Sequence, residues 1–173
     1  LLSNPCNPTG HAIHGQVLAD WVSACRDLGC VLMVDEFYSH YLYGEAAAEG
    51  PALSAARYVE DVNRDPVVLI DGVTKNWRYP GWRISWTVGP AQVIERITSA
   101  GSFLDGGPSH PIQKAALPLI REDVADREAM AIQQTFGRKR ALVLERLSAM
   151  GIEVQSVTET AKISRIQRVN DTF

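Results

Sequence analysis

Two short, unbroken apolar runs limit what this chain can fold into: Val31-Leu32-Met33-Val34 and Val67-Val68-Leu69-Ile70. A strand that is apolar at every position has both faces covered, as in a parallel strand sandwiched between helices. Between and around the runs lie stretches of helical period. From Gly15 to Leu28 the apolar residues Val17, Leu18, Trp21, Val22, Cys25 and Leu28 share one face, and Gly29 is placed to stop the helix. A further strand is expected at Ile84 to Val88 and a helix from Ala91 to Phe103, with a loop and short helix between Ala46 and Val59. Strands alternating with helices predict an α/β fold with a mostly parallel sheet in three layers.

The remainder of the chain divides along its punctuation. Gly106-Gly107-Pro108 and Pro111 interrupt the pattern, after which Ile112 to Met150 reads as two or three helices, the last from about Gln133. Gly151 ends that helix, and Ile152-Glu153-Val154 reads as the start of a strand in a second region. The expected divisions are therefore 1–108 for half of a large domain, 109–150 for connecting helices, and 151–173 for the beginning of a small domain or a divergent tail.

Composition excludes several functions. A net charge of −3 with scattered basic residues gives no footprint for nucleic acid or an anionic membrane. No apolar run has the length of a bilayer span. The cysteines Cys6, Cys25 and Cys30 are odd in number and lack CxxC spacing, which argues against a disulfide framework and against a metal site. A reducing, cytoplasmic setting is the expectation. Leu1 to Pro5 lacks a basic leader and reads as a strand end followed by a turn, as though the chain starts inside a domain.

Four elements carry chemistry. Lys75 follows the second apolar run and so belongs to the carboxyl end of the sheet, where open α/β sheets bind ligands. A lysine used as a covalent catalyst must be partly desolvated to present a neutral amine. Asp35 ends the first run with Tyr38 three residues on, and a carboxylate there stays ionised when a cation faces it. Asn4-Pro5-Cys6-Asn7-Pro8-Thr9-Gly10 doubles an Asn-Pro turn, and Arg83 lies eight residues beyond Lys75. Each has a plainer reading: a solvated lysine, an N-cap aspartate, a core tyrosine, a surface turn.

Together, NPCNPTG, VDEFY and TKNWRYPGWR stand in an order that resembles the fold-type I pyridoxal-phosphate (PLP) enzymes, in particular the class I/II aminotransferases. The resemblance covers about residues 1 to 154. It implies that Lys75 forms the Schiff base with PLP and carries the proton between substrate and cofactor. By the same resemblance Asp35 pairs with the pyridine nitrogen, and Asn7 and Tyr38 hydrogen-bond the ring's 3′-oxygen. Arg83 would bind the phosphate, and Asn7-Pro8 would be cis. Relatives carry Ser-x-Ser before the lysine; here those positions are Gly72 and Thr74, so one phosphate hydrogen bond is lost or taken over by backbone while Thr74 keeps a hydroxyl. Arg78 reads as a structural ion-pair residue. Trp77, Tyr41, Tyr43 and His40 are pocket candidates and equally core or surface candidates.

The implied function is transamination between an α-amino acid and a 2-oxo acid in a homodimer, with Gly106-Gly107-Pro108-Ser109 as the segment reaching the partner. The motifs do not separate this from a lyase, decarboxylase or amino-acid oxidase of the same fold, nor from an inactive remnant. The phosphate-cupping helix start and the aromatic ring that stacks on the cofactor have no match in this chain, so weak cofactor binding by these residues alone is expected.

Overall fold

The computed structural model describes residues 1–104 and 106–152. Four strands form one sheet in the order β1-β2-β3-β4: β1 (Leu2–Ser3), β2 (Leu32–Asp35), β3 (Val67–Gly72) and β4 (Ser85–Val88). The first three are parallel, with Leu2 opposite Val34 and Leu32 opposite Val67, whereas β4 returns antiparallel with Leu69 opposite Val88. The expected mostly parallel α/β sheet is present. The antiparallel return follows from the short loop between β3 and β4, which holds a 3₁₀ turn at Pro80–Trp82 and no crossover helix.

Helix α1 (Gly15–Leu28) forms the first crossover and buries Leu18, Val22 and Cys25 against β2 and its surroundings. Gly29 stops it in the left-handed conformation at φ 62°, with the Cys30 amide donating back to the Cys25 carbonyl at 3.0 Å. Short α2 (Glu45–Ala48) and a 3₁₀ turn at Ala55–Tyr58 then add Ala46 and Ala55 to the same core. A second, smaller core gathers Val73, Trp77, Ile84 and Ala116, with Trp82 and Trp86 packed on it.

Beyond the sheet come α3 (Ala91–Leu104), α4 (His110–Ala116) and α5 (Glu122–Ala149). The last helix begins at Glu122 and not near Gln133, and Gly137 passes through it without a break. A mid-helix glycine costs only about 1 kcal/mol, and the acidic first turn, Glu122 and Asp123, favours the earlier start. Pro111 sits in the first turn of α4, where a missing amide costs nothing, rather than ending an element. The expected strand at Ile152-Glu153-Val154 and the 151–173 segment lie, beyond Ile152, outside the described residues.

Gly72 is fixed by a close approach of backbones. A Cβ at this position would meet the Ile84 carbonyl oxygen at 2.6 Å and the Ser85 Cα at 2.8 Å. The glycine in place of a serine is therefore demanded by the way β4 crosses the end of β3. Gly72→Ser should cost about 1–3 kcal/mol as an overpacked site, read as a lower melting temperature of the full-length protein.

Two carboxyls, the buried Glu36 and the half-buried Asp71, lie at this end of the sheet. Glu36 accepts from the Ser54 hydroxyl at 2.7 Å and from the Ala55 amide at 2.8 Å, and burial pushes its pKa up to about 7. Asp71 accepts from the Gly72 amide at 2.6 Å, and burial likewise raises it to about 7. In the unfolded chain both titrate near the ordinary carboxylate values, 4.5 and 3.8. Between those values and about 7 the folded protein thus holds more protons than the unfolded one. Stability is full below the unfolded values and declines as pH rises through the folded ones, by on the order of 3 kcal/mol for Glu36. The melting temperature should fall between pH 5 and pH 8, and Glu36→Gln should flatten that decline.

Candidate active site

The parallel strands β1, β2 and β3 deliver their following loops to one end of the sheet. Asp35 is the last residue of β2, opposite Ile70 of β3, so the register sets it beside the segment that leads to Lys75. Its Oδ1 accepts from the Phe37 amide at 3.1 Å, an Asx turn that bends the chain away from the strand. Three residues on, the Tyr38 ring lies under the Lys75 amine, with Nζ 5.9 Å from the ring centroid. That amine has no ion pair among the described residues. Lys75 and Tyr38 are thus neighbours, and Asp35 ends the strand from which the Tyr38 turn departs.

The other predicted residues stand further out. Asn7 is exposed, and both Asn4-Pro5 and Asn7-Pro8 are cis. Asn4 is the structural member of that doubled turn: fully buried, its side chain exchanges two 2.8 Å hydrogen bonds with the Ile13 backbone. Arg83 is exposed, holds a left-handed backbone at φ 55°, and donates from Nη1 to the Pro80 carbonyl at 3.0 Å. Thr74 is half-buried beside the lysine. Among the described residues no side-chain hydrogen bond or ion pair joins Asn7, Thr74 or Arg83 to Lys75 or Tyr38.

Sequence reasoning passed over Asn76, which is completely buried. Its Nδ2 lies 3.1 Å from the Glu36 carbonyl, 2.9 Å from the Ser39 hydroxyl and 2.9 Å from Asp71 Oδ1. Its Oδ1 accepts from the His40 amide at 3.2 Å. Its own carbonyl lies 3.3 Å from His40 Nδ1, so that nitrogen carries the proton. A signal was available: Val73, Asn76 and Trp77 have the spacing of one buried face, and a polar residue on such a face must be hydrogen-bonded. His40 and Trp77 prove to be core, packed edge to face at 4.9 Å, and burial lowers the His40 pKa.

The lysine loop is also held from outside. Tyr41 donates its hydroxyl to the Lys75 carbonyl at 3.1 Å and packs on Phe136 of α5 with centroids 5.2 Å apart. Trp77 Nε1 donates to the Leu119 carbonyl at 3.0 Å. Arg78 pairs with Glu128 at 2.6 Å, the structural ion pair expected for it. An apolar cavity of about 240 Å³ lies elsewhere, bounded by Val59, Val62, Val67, Leu69 and Val88, and no predicted site residue lines it. Among the described residues no His, Cys, Asp and Glu cluster could hold a metal ion, and no helix is long and apolar enough to cross a membrane.

The donors present fit PLP: an acceptor carboxylate, an amine without an ionic partner beside a phenol, and an exposed guanidinium in the same loop system.

Comparison with known proteins points the same way. The chain is 29% identical over 154 residues to the aspartate/prephenate aminotransferase of Thermus thermophilus, covering 88% of this chain and 38% of that protein. It is 23% identical over 152 residues to an aspartate aminotransferase of Pyrococcus abyssi, with 88% and 38% covered. The solved structure of the Thermus thermophilus aspartate aminotransferase with maleate superposes with a TM-score of 0.74 at 28% identity, over 88% of this chain and 38% of that one. An aromatic aminotransferase from Pyrococcus horikoshii gives 0.73 at 25% identity, over 87% and 39%. The chain thus spans well under half the length of the relatives it matches. The family model of aminotransferases of class I and II matches residues 1–161, and the chain belongs to that family.

Proposed function

We propose that the protein containing this chain is a PLP-dependent aminotransferase that moves an amino group between an α-amino acid and a 2-oxo acid. The observation that carries the reading is the Lys75 amine set over the Tyr38 ring, at the sheet end where Asp35 closes β2. When bound, PLP supplies the electron sink that makes the substrate's α-proton removable.

The chain's own groups then divide the work. Asp35, ionised, would keep the proton on the ring nitrogen. The Tyr38 hydroxyl and the Asn7 amide would bind the ring oxygen, and Arg83 would take the phosphate as a fixed, always charged fork, with the Thr74 hydroxyl beside it. Lys75 Nζ would be the covalent attachment point and afterwards the base that takes and returns a proton. Gly72 offers no side chain to the phosphate, so donors there come from backbone amides or from segments outside this chain. We place the assembled enzyme in the cytoplasm as a homodimer, with the 106–109 connection as the candidate to reach the partner subunit. The domain division near residue 108 belongs to the same proposal.

Borohydride reduction of the full-length protein with PLP, followed by peptide mapping, should label Lys75. Label on another lysine would remove the assignment. Lys75→Ala should lower turnover by roughly 10²–10⁴-fold, the usual worth of a positioned acid–base group. A single turnover should release one 2-oxo acid and leave the cofactor in its amine form. Ammonia, carbon dioxide or hydrogen peroxide as product would instead select a lyase, decarboxylase or oxidase.

A further inference from the structure

We propose that Asn76 is a positioning residue that fixes the distance between Lys75 and the Asp35–Tyr38 turn. The proposal rests on the reading of Lys75 as the cofactor-bearing lysine.

The argument begins with what Lys75 itself lacks. The residue is exposed, and its amine lies over the Tyr38 ring with no ion pair among the described residues. A flexible four-carbon stem does not hold a reactive amine in place, so the position of Nζ depends on the peptide beneath it. The next residue is the anchor of that peptide. The Asn76 amide contacts the Glu36 carbonyl and the Ser39 hydroxyl in the turn after β2, and the Asp71 carboxylate at the end of β3. Its oxygen receives the His40 amide.

Glu36 follows Asp35 directly, and Ser39 follows Tyr38. Asn76 therefore grips the chain immediately after Asp35 and Tyr38, two of the residues proposed to hold the cofactor ring. One side chain, with no accessible surface, ties the lysine loop to the ring-binding turn. Three acceptors crowd two amide protons, so one bond is shared. Alanine cannot replace this: it would leave the Glu36 carbonyl, the His40 amide and the Asp71 carboxylate short of a partner in a dry site. Aspartate keeps the size but turns the donor into an acceptor facing Asp71.

The test uses the full-length protein with Asn76→Ala, Asn76→Asp and Ser39→Ala, each titrated with PLP. In the two Asn76 variants the PLP dissociation constant should rise about tenfold or more. The pH midpoint of the bound-cofactor absorbance should move by about half a pH unit or more. In cofactor-free protein the His40 amide should exchange with solvent at least about tenfold faster. Ser39→Ala, which removes one acceptor and leaves the clamp in place, should move the same quantities less and in the same direction. It decides the matter if the Asn76 variants do not fold.

Unchanged PLP affinity and unchanged midpoint in the variants, even with a lowered melting temperature, would overturn the proposal and make Asn76 a core residue only. No PLP-dependent absorbance in the unsubstituted protein would overturn the functional reading first and the positioning role with it.

Discussion

The parallel pairing of β2 with β3 is the constraint on which the rest depends. Leu32 faces Val67 and Asp35 faces Ile70, so both strands run out at the same edge. A slip of one residue would turn every side chain of β2 to the other face, exposing Leu32 and Val34, which are almost wholly buried. The hydrophobic cost of that slip is what holds Asp35 and the lysine loop in step. Chemistry at the sheet end is thus anchored by apolar packing well behind it.

A layer of buried polar groups lies between that packing and the solvent. Glu36, Asp71 and Asn76 would each be costly in isolation. They are tolerable because each is supplied with partners: Ser54 and Ala55 for Glu36, Gly72 and Asn76 for Asp71. Such networks specify geometry more sharply than an apolar core, since a hydrogen bond is directional and a van der Waals contact is not. Two of the three members are carboxyls whose protonation changes near neutrality.

The strands and the chemistry-bearing residues were legible in the sequence because their signals are local. The apolar runs Val31 to Val34 and Val67 to Ile70 mark β2 and β3, although Val31 itself lies exposed before β2, and Lys75, Asp35 and Tyr38 stand at fixed offsets from them. The residues that hold these in place were not legible, because their partners are distant. Asn76 meets Glu36 and Ser39 across 40 and 37 positions, and nothing in a linear pattern links them. Helix α5 was read too short at its start: Glu122 to Ile132 was assigned to a separate helix, although no glycine or proline stands between Glu122 and Gln133 to divide them. Gly72 was read as a missing hydroxyl, when the backbone of β4 leaves it no room to be anything else.

Helix α5 itself has a mechanical meaning. At 28 residues it is about 42 Å long. It touches the region of Lys75 through the Arg78–Glu128 ion pair and the Tyr41–Phe136 ring contact. These attachments fall at its seventh and fifteenth residues, and further along Arg140 lies over the Tyr43 ring, 5.4 Å from its centroid. Tyr41 is in turn bonded to the carbonyl of Lys75. The helix is thus held from Glu128 to Arg140, and a rigid rod turns a small rotation at its attachments into a larger displacement at its free end. A shift of the lysine loop would therefore be carried along α5 toward Ala149.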